Sequence, residues 1–300
     1  MKDNLHNIKV LCVGEMLWDL LPSGAVAGGA PMNVALHLKK LGLDAKFAGK
    51  VGNDKLGESL KNFLRNNGMD LDLVQTDSQL PTSTVEVTID SAQNAKFDII
   101  DNVAWDRIEG NEDLLQTCKD SHVLVYGTLA SRHAITRSTI FTLIENSGLK
   151  LIDVNLRPPY INREIVEQLL YAADIAKLND DELRTIAGWN HKAFELHDLT
   201  RWFADKFNFE TVCITRGDKG AMINIKGDLI EHPGYKVNVV DTVGAGDAFL
   251  AGFIFKYLLG EPIVNTLTFA CATGALVASK KGGTPEYSIH EITRLIINNE

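Results

Sequence analysis

Short apolar runs alternate with longer amphipathic ones along most of this chain. Lys9 to Val13 reads as a buried first strand around the apolar run Val10 to Val13, and Pro31 to Leu41 repeats its apolar positions at helical spacing. Pro31 suits a first helical turn and Gly42 a C-terminal exit, so the start and stop signals agree with the period. Ala45 to Val51 then reads as a strand and Gly57 to Asn67 as a helix. The same alternation resumes after residue 120: strand at Val123 to Tyr126, helix at Ala134 to Asn146, strand at Leu149 to Asn155, helix at Ile161 to Ala173, strand at Ile175 to Leu178. A strand at Thr211 to Thr215, a hairpin across Ala221 to Glu231 and helices at Ala245 to Leu259, Ile263 to Ser279 and Ile289 to Ile297 complete the pattern. Strands that take turns with helices predict an α/β fold, a mostly parallel sheet covered by helices.

The period changes to two between Pro81 and Ile108. Thr82 to Asp90 alternates polar and apolar positions, Ser91 to Asn94 is a polar turn, and Lys96 to Asp101 returns. This predicts an antiparallel excursion with one wet face, a candidate lid. With no repeats, low-complexity tract or long linker, residues 1–300 are expected to form a single domain, its lid built roughly from 17–28 and 81–108.

Composition narrows the function classes. A chain of 300 residues, 45% hydrophobic and 23% charged, with only 8 prolines, belongs with ordinary globular proteins. Its net charge of −9 argues against nucleic-acid or anionic-membrane partners, which need a basic face. Cys12, Cys118, Cys213 and Cys271 show no CxxC spacing and sit in apolar runs, so buried free thiols are expected. The eight histidines lack metal-ligand spacing and read as surface or satisfied core residues. No signal peptide or membrane span is visible, which makes a cytoplasmic location the default.

Candidate chemistry gathers where strands end. Asp241-Thr242-Val243-Gly244-Ala245-Gly246-Asp247-Ala248-Phe249 leads directly into an apolar helix. Small residues at a helix start let backbone N–H groups converge on an anion, and Asp247 stands where a carboxylate can take a proton. Together those are the parts of phosphoryl transfer to a hydroxyl; read structurally, the same residues are a turn and a helix-capping acid. Gly28-Gly29-Ala30-Pro31-Met32-Asn33 offers bare backbone and an amide to a polyol, or an ordinary loop-to-helix junction. Asp19, at the end of an extension of the first strand, is either a sugar-hydroxyl acceptor or a turn acid. Asn179-Asp180-Asp181-Glu182 follows a strand; it is a helix cap, or a pair one turn apart able to hold magnesium-bound water. Thr215-Arg216-Gly217-Asp218-Lys219-Gly220 is a strand-end turn or the floor of a nucleotide pocket. Arg157, in Asp153-Val154-Asn155-Leu156-Arg157-Pro158-Pro159, ends another strand. Open α/β sheets bind ligands at such ends.

Taken together, these motifs resemble the ribokinase-like (PfkB) carbohydrate kinases. Gly28 to Ala35 with Gly42 and Gly52 resembles the first family signature, and Asp241 to Gly252 the second; the order between them agrees over about residues 9 to 290. Gly14-Glu15-Met16-Leu17-Trp18-Asp19-Leu20-Leu21-Pro22 and the Asp153 to Pro159 run are similar to bacterial fructokinases. The resemblance implies a ribokinase-like three-layer α/β sandwich with a small β lid and ATP-dependent phosphorylation of a sugar's primary hydroxyl. It implies Asp247 as the base, the amides of Gly244, Ala245 and Gly246 as an anion hole, and Asp19, Gly29, Asn33 and Arg157 as sugar contacts. Asn179 and Glu182 match the motif for magnesium and phosphate, Glu182 acting through water. Thr215, Gly217 and Gly220 match the nucleotide turn. Asp241 and the Val243 carbonyl resemble part of a potassium site, completed by backbone between Val277 and Gly283. Many relatives carry Asn near position 271, beside the adenine, where this chain has Cys271.

The expected partners are therefore ATP, Mg2+, K+ and a small sugar, without nucleic acid or membrane. An exposed lid edge also suits a homodimer through the lid. Fructose leads as substrate, phosphorylated at O6, because Asp98 and Asp101 in the lid would repel the carboxylate of 2-keto-3-deoxygluconate; Arg107 keeps that acid in view, and ribose is a further alternative. A nicotinamide dehydrogenase is disfavoured by the absent first-strand glycine fingerprint. A sugar-responsive regulator on the same fold would retain the binding residues without turnover, which the intact Asp247 argues against.

Overall fold

A computed structural model describes residues 7–21, 24–89 and 95–299. The described strands are β1 (Lys9–Val13), β2 (Leu17–Leu21), β3 (Gly24–Gly28), β4 (Asp44–Gly52), β5 (Val74–Asp77), β6 (Ser83–Ile89), β7 (Ala95–Ile99), β8 (Val123–Gly127), β9 (Leu149–Asp153), β10 (Ile175–Asn179), β11 (Thr211–Thr215), β12 (Ala221–Ile225) and β13 (Asp228–His232). Nine of them make one sheet in the order β13-β12-β11-β10-β9-β8-β1-β4-β5. Every neighbouring pair from β11 to β5 is parallel, and only the β11-β12-β13 edge turns antiparallel.

Both faces of this sheet are covered, and β1 explains how a continuous apolar run serves two cores. Val10 and Cys12 face one core with the helices Ala30–Lys40, Ala245–Leu258 and Ile263–Ala278. Leu11 and Val13 face the other, with the helices Glu112–Asp120, Ala134–Asn146, Arg163–Tyr171, Asp180–Trp189 and Leu196–Phe207. A strand buried on both sides has no polar face to show, the composition expected of parallel sheets. The layering is helix, sheet, helix. All four cysteines are buried and free. His37 is buried with both ring nitrogens hydrogen-bonded, to the Tyr287 hydroxyl at 2.9 Å and the Gly283 carbonyl at 3.0 Å. Among the described residues no helix is long and apolar enough to cross a membrane.

The period-two segment forms the β6–β7 hairpin, but its sheet is larger and more mixed than the sequence predicts. Strand order is β3-β2-β6-β7, with β2 antiparallel to β3 and parallel to β6. Asp19 accordingly lies on β2 in this small sheet, not on an extension of β1, because Gly14 to Met16 break the strand between them. The polar turn 91–94 lies outside the described residues. A third core, Leu17, Val85, Ile99, Val103, Trp105, Ile108 and Leu129, seats the small sheet on the main body.

Candidate active site

The helix Ala245–Leu258 begins without a side-chain cap. Gly244 precedes it in the left-handed region, at φ 72°, and the Ala248 N–H closes the first turn onto the Gly244 carbonyl at 2.8 Å. The Ala245 N–H is turned back to the Thr242 carbonyl at 3.2 Å, leaving Gly246 and Asp247 with N–H groups that meet no acceptor among the described residues. Of the expected anion hole, Ala245 is thus already engaged, whereas the Gly244 N–H, like those of Gly246 and Asp247, meets no acceptor among the described residues. A Cβ on Gly244 would stand 2.2 Å from the Gly283 carbonyl oxygen, so glycine is required by space as well as by φ. The Asp241 carboxylate draws the two loops together, accepting from the Val243 and Gly282 N–H groups at 3.0 Å each.

Asp247 is half-buried in the first turn of that helix, and its Oδ2 accepts from Asn33 Nδ2 at 2.8 Å. Beside it, Lys177 Nζ donates to both oxygens of Asp153 at 2.9 and 3.1 Å. Asp153 and Lys177 are register partners on β9 and β10, which brings the pair together, and a Cβ on Gly246 would lie 3.3 Å from the ammonium. Burial pushes the Asp247 carboxyl up to about 6; Asp153 pushes the same way, while Lys177, the Asn33 bond and Arg157 oppose it. Lys177 is held above its ordinary value: burial works against its charge, but Asp153, Glu182 and Asp247 outweigh it.

The helix Ala30–Lys40 also starts at a glycine, Gly29 at φ 123°, where a Cβ would meet the Glu15 carbonyl oxygen at 2.3 Å. Asp19 lies against Gly28, whose Cβ would stand 2.5 Å from Asp19 Oδ2. Burial raises the Asp19 carboxyl to about 6, with Arg157 acting in opposition. Arg157 is exposed, yet its charge acts on Asp19, Glu15 and Asp247 alike. The structure therefore gathers Asp247, the Gly244–Gly246 turn, Asn33, Gly29, Asp19 and Arg157 around one space.

The nucleotide and metal candidates form a looser set. Asn179 and Glu182 make a reciprocal capping box: Asn179 Oδ1 accepts from the Glu182 N–H and Glu182 Oε2 from the Asn179 N–H, both at 2.8 Å. Glu182 Oε1 accepts from the Leu156 N–H at 2.9 Å, so both carboxylate oxygens already serve backbone donors. Thr215 ends β11 next to β10, and Gly217 and Gly220 both have positive φ. Gly220 packs so tightly on the backbone of residues 232–234 that no Cβ fits, a structural demand independent of any nucleotide. Cys271 is buried in the helix Ile263–Ala278, and burial raises its thiol to about 12, with Arg216 opposing. Among the described residues, the acids and histidine close enough to hold a metal are Asp101, Asp106 and His133, at the base of the small sheet; Arg132 already clasps Asp106.

Three residues at the centre escaped the sequence reading of the site: Lys177, Asp153 and Glu15. A signal existed for each, a charged residue inside or at the end of an otherwise apolar strand run, which is rarely buried unless paired.

The pattern of the pfkB family carbohydrate kinases matches residues 24–289. The chain belongs to this family. It is a carbohydrate kinase. It is 30% identical to a fructokinase of Salmonella typhimurium over 296 residues, covering 92% of this chain and 95% of that one. It is 29% identical to fructokinase-2 of Solanum lycopersicum, covering 92% of each. A fructokinase of Xylella fastidiosa with bound ATP superposes with a TM-score of 0.85 at 22% identity, over 97% of this chain and 98% of the other. A double mutant of the Vibrio cholerae O395 enzyme, with fructose, ADP and potassium ion bound, superposes at 0.83 with 23% identity, over 97% and 99%. The fold of this kinase is the ribokinase-type sandwich, a large mostly parallel sheet with a small separate sheet.

Proposed function

We propose that the chain is an ATP-dependent fructokinase that transfers the γ-phosphoryl group to the O6 hydroxyl. One observation carries the reading: Asp247 sits in the first turn of a helix whose neighbouring amides are open, and Asn33 orients the carboxylate from the start of the opposing helix. Fructose would lie between Asp19, Gly29, Asn33 and Arg157. Asp247 takes the proton of the attacking hydroxyl, and the open Gly244 and Gly246 amides, with that of Asp247, meet the charge of the transferred group. The small sheet is assigned as a lid that excludes water, since β2 carries Asp19 to the site.

Magnesium brought with the nucleotide would supply charge neutralisation; the occupied oxygens of Glu182 fit contact through water rather than direct ligation. Potassium is assigned to the Asp241–Val243 loop facing Gly282 and Gly283. A cytoplasmic location fits a kinase that draws on ATP, and an edge of the small sheet is the surface assigned to a homodimer. The named relatives favour fructose. Of the two acids expected to repel a sugar acid, Asp101 is engaged by His133 at 2.7 Å, and the side chain of Asp98 lies outside the described set. A coupled ATP assay across fructose, ribose and 2-keto-3-deoxygluconate tests the assignment: fructose is expected to give the highest kcat/KM. A preference for another sugar overturns the substrate, and sugar binding without turnover of any overturns the enzyme in favour of a regulator.

A further inference from the structure

Glu15 stands at the turn where the chain leaves β1, 2% exposed, and its Oε2 is buried with no hydrogen-bond partner among the described residues. It caps no helix, and no lysine or arginine ion pair to it is formed among those residues. Its place is nevertheless the sugar end of the site, because Gly29 packs directly on its carbonyl. The charged groups that act on it come from three directions: Arg157 beyond β9, Asp153 on β9, and Asp247 on the helix Ala245–Leu258. A second orphan lies close by in the fold: Asn33 Oδ1 is buried and unpartnered, while its Nδ2 is held by Asp247. A buried polar atom without a partner is costly to keep from water, so two of them beside one base mark the place of polar ligand atoms.

Charge decides what Glu15 offers there. Lys177 matches Asp153, and Asp247 must be ionised to act as a base. A third carboxylate without a cation of its own would be repelled by both. We infer that Glu15 is a further sugar-binding residue, which enters the reaction as a neutral carboxylic acid and donates its O–H to a hydroxyl oxygen of the acceptor, while Asn33 Oδ1 accepts from a neighbouring hydroxyl. The arrangement suits a polyol, whose hydroxyls donate and accept side by side. Burial, with Asp247 and Asp153, pushes the Glu15 carboxyl up to about 7 against the pull of its own backbone N–H and Arg157.

This assignment rests on the kinase reading, and two measurements separate them. Glu15→Leu is expected to raise KM for the sugar by about tenfold or more, with KM for ATP moving less than about twofold. Glu15→Gln keeps the shape and an N–H donor, and should return the sugar KM to within about threefold of wild type. A wild-type sugar KM in Glu15→Leu overturns the contact, and a Glu15→Gln enzyme as poor as Glu15→Leu overturns the donor role. Independently of turnover, the infrared difference between wild type and Glu15→Gln should contain a carboxylic-acid band below about pH 7 that gives way to carboxylate bands above it. Carboxylate bands alone well below that pH overturn the neutral acid, even for a protein that phosphorylates no sugar on the panel; absence of turnover in the wild type would instead remove the kinase reading.

Discussion

As the proposed base, Asp247 is under two opposed demands, because the burial that would make it a stronger base also disfavours its charge. With its carboxyl raised to about 6, kcat/KM for the sugar should fall about tenfold per pH unit below that value, as the base becomes protonated. A flat acidic limb down to about pH 5 would remove Asp247 from the proton transfer. The sign for stability runs the other way. A carboxyl whose folded value is raised contributes stability below its unfolded value of 3.8, and loses it as pH rises through about 6. The ionised form present at neutral pH is therefore the strained one. Asp247→Asn should melt at or above wild type at neutral pH while turnover drops by about 10²–10⁴. Melting curves beside the ATP assay check both halves; a variant that loses turnover by unfolding would contradict the account. Asp247 and its turn were legible as residues, from two glycines and an acid before an apolar helix. The raised carboxyl was not, because desolvation and the Asp153 charge come from elements distant in sequence.

The helices divide by how they begin. Asp54, Asn111, Asn162, Asn179 and Ser288 cap theirs with a side-chain oxygen; His133, Glu195 and Pro262 do not, and the two helices that point at the candidate site start, also uncapped, at glycines, Gly29 and Gly244. A cap consumes N–H groups; a glycine start leaves them open to a ligand and lets backbone approach closely. Gly244→Ala should lose about 1–3 kcal/mol to the left-handed φ and the clash with Gly283, and should raise KM for ATP more than KM for the sugar. Denaturant titration and steady-state kinetics read the two effects, and a wild-type KM for ATP would show that the turn does not hold phosphate. Glu182→Gln discriminates cap from metal contact. One amide nitrogen must face a backbone N–H that now meets a carboxylate oxygen, at a cost of about 1–3 kcal/mol. An unchanged Mg2+ dependence of activity would leave Glu182 as a cap alone. The sequence marked Asn179 and Glu182 by spacing, yet could not choose between those roles. It also left unassigned the strands β2, β3 and β5, whose runs are short and mixed, and the helices Glu112–Asp120 and Leu196–Phe207, although both carry a helical apolar period.

At the scale of the whole molecule, a buried cation reinforces the apolar core that seats the small sheet on the main body. Arg132 pairs with Asp106 through two nitrogens at 2.7 and 2.8 Å and is flanked by the rings of Trp105 and Tyr160 at 4.1 and 4.3 Å. It also donates to the Ile100 carbonyl, and the Tyr160 hydroxyl donates to that of Ile99, both just where β7 ends. Arg132→Met would strand the Asp106 carboxylate, 1% exposed, and should cost about 3–5 kcal/mol. If the clamp also sets the pose of the small sheet, KM for the sugar rises while KM for ATP holds. The chain by itself determined the α/β layering, the Gly244–Asp247 turn and the family, because period, glycine placement and strand-end polarity are local properties of the backbone. Only the tertiary structure decided that Asn33 orients Asp247 from 214 residues away, that Lys177 answers Asp153 across two strands, and that Glu15 is buried without a partner. Pairing, desolvation and charge are sums over everything packed around a group, and in this fold those neighbours come from strands β1, β2, β9 and β10 and from two helix starts.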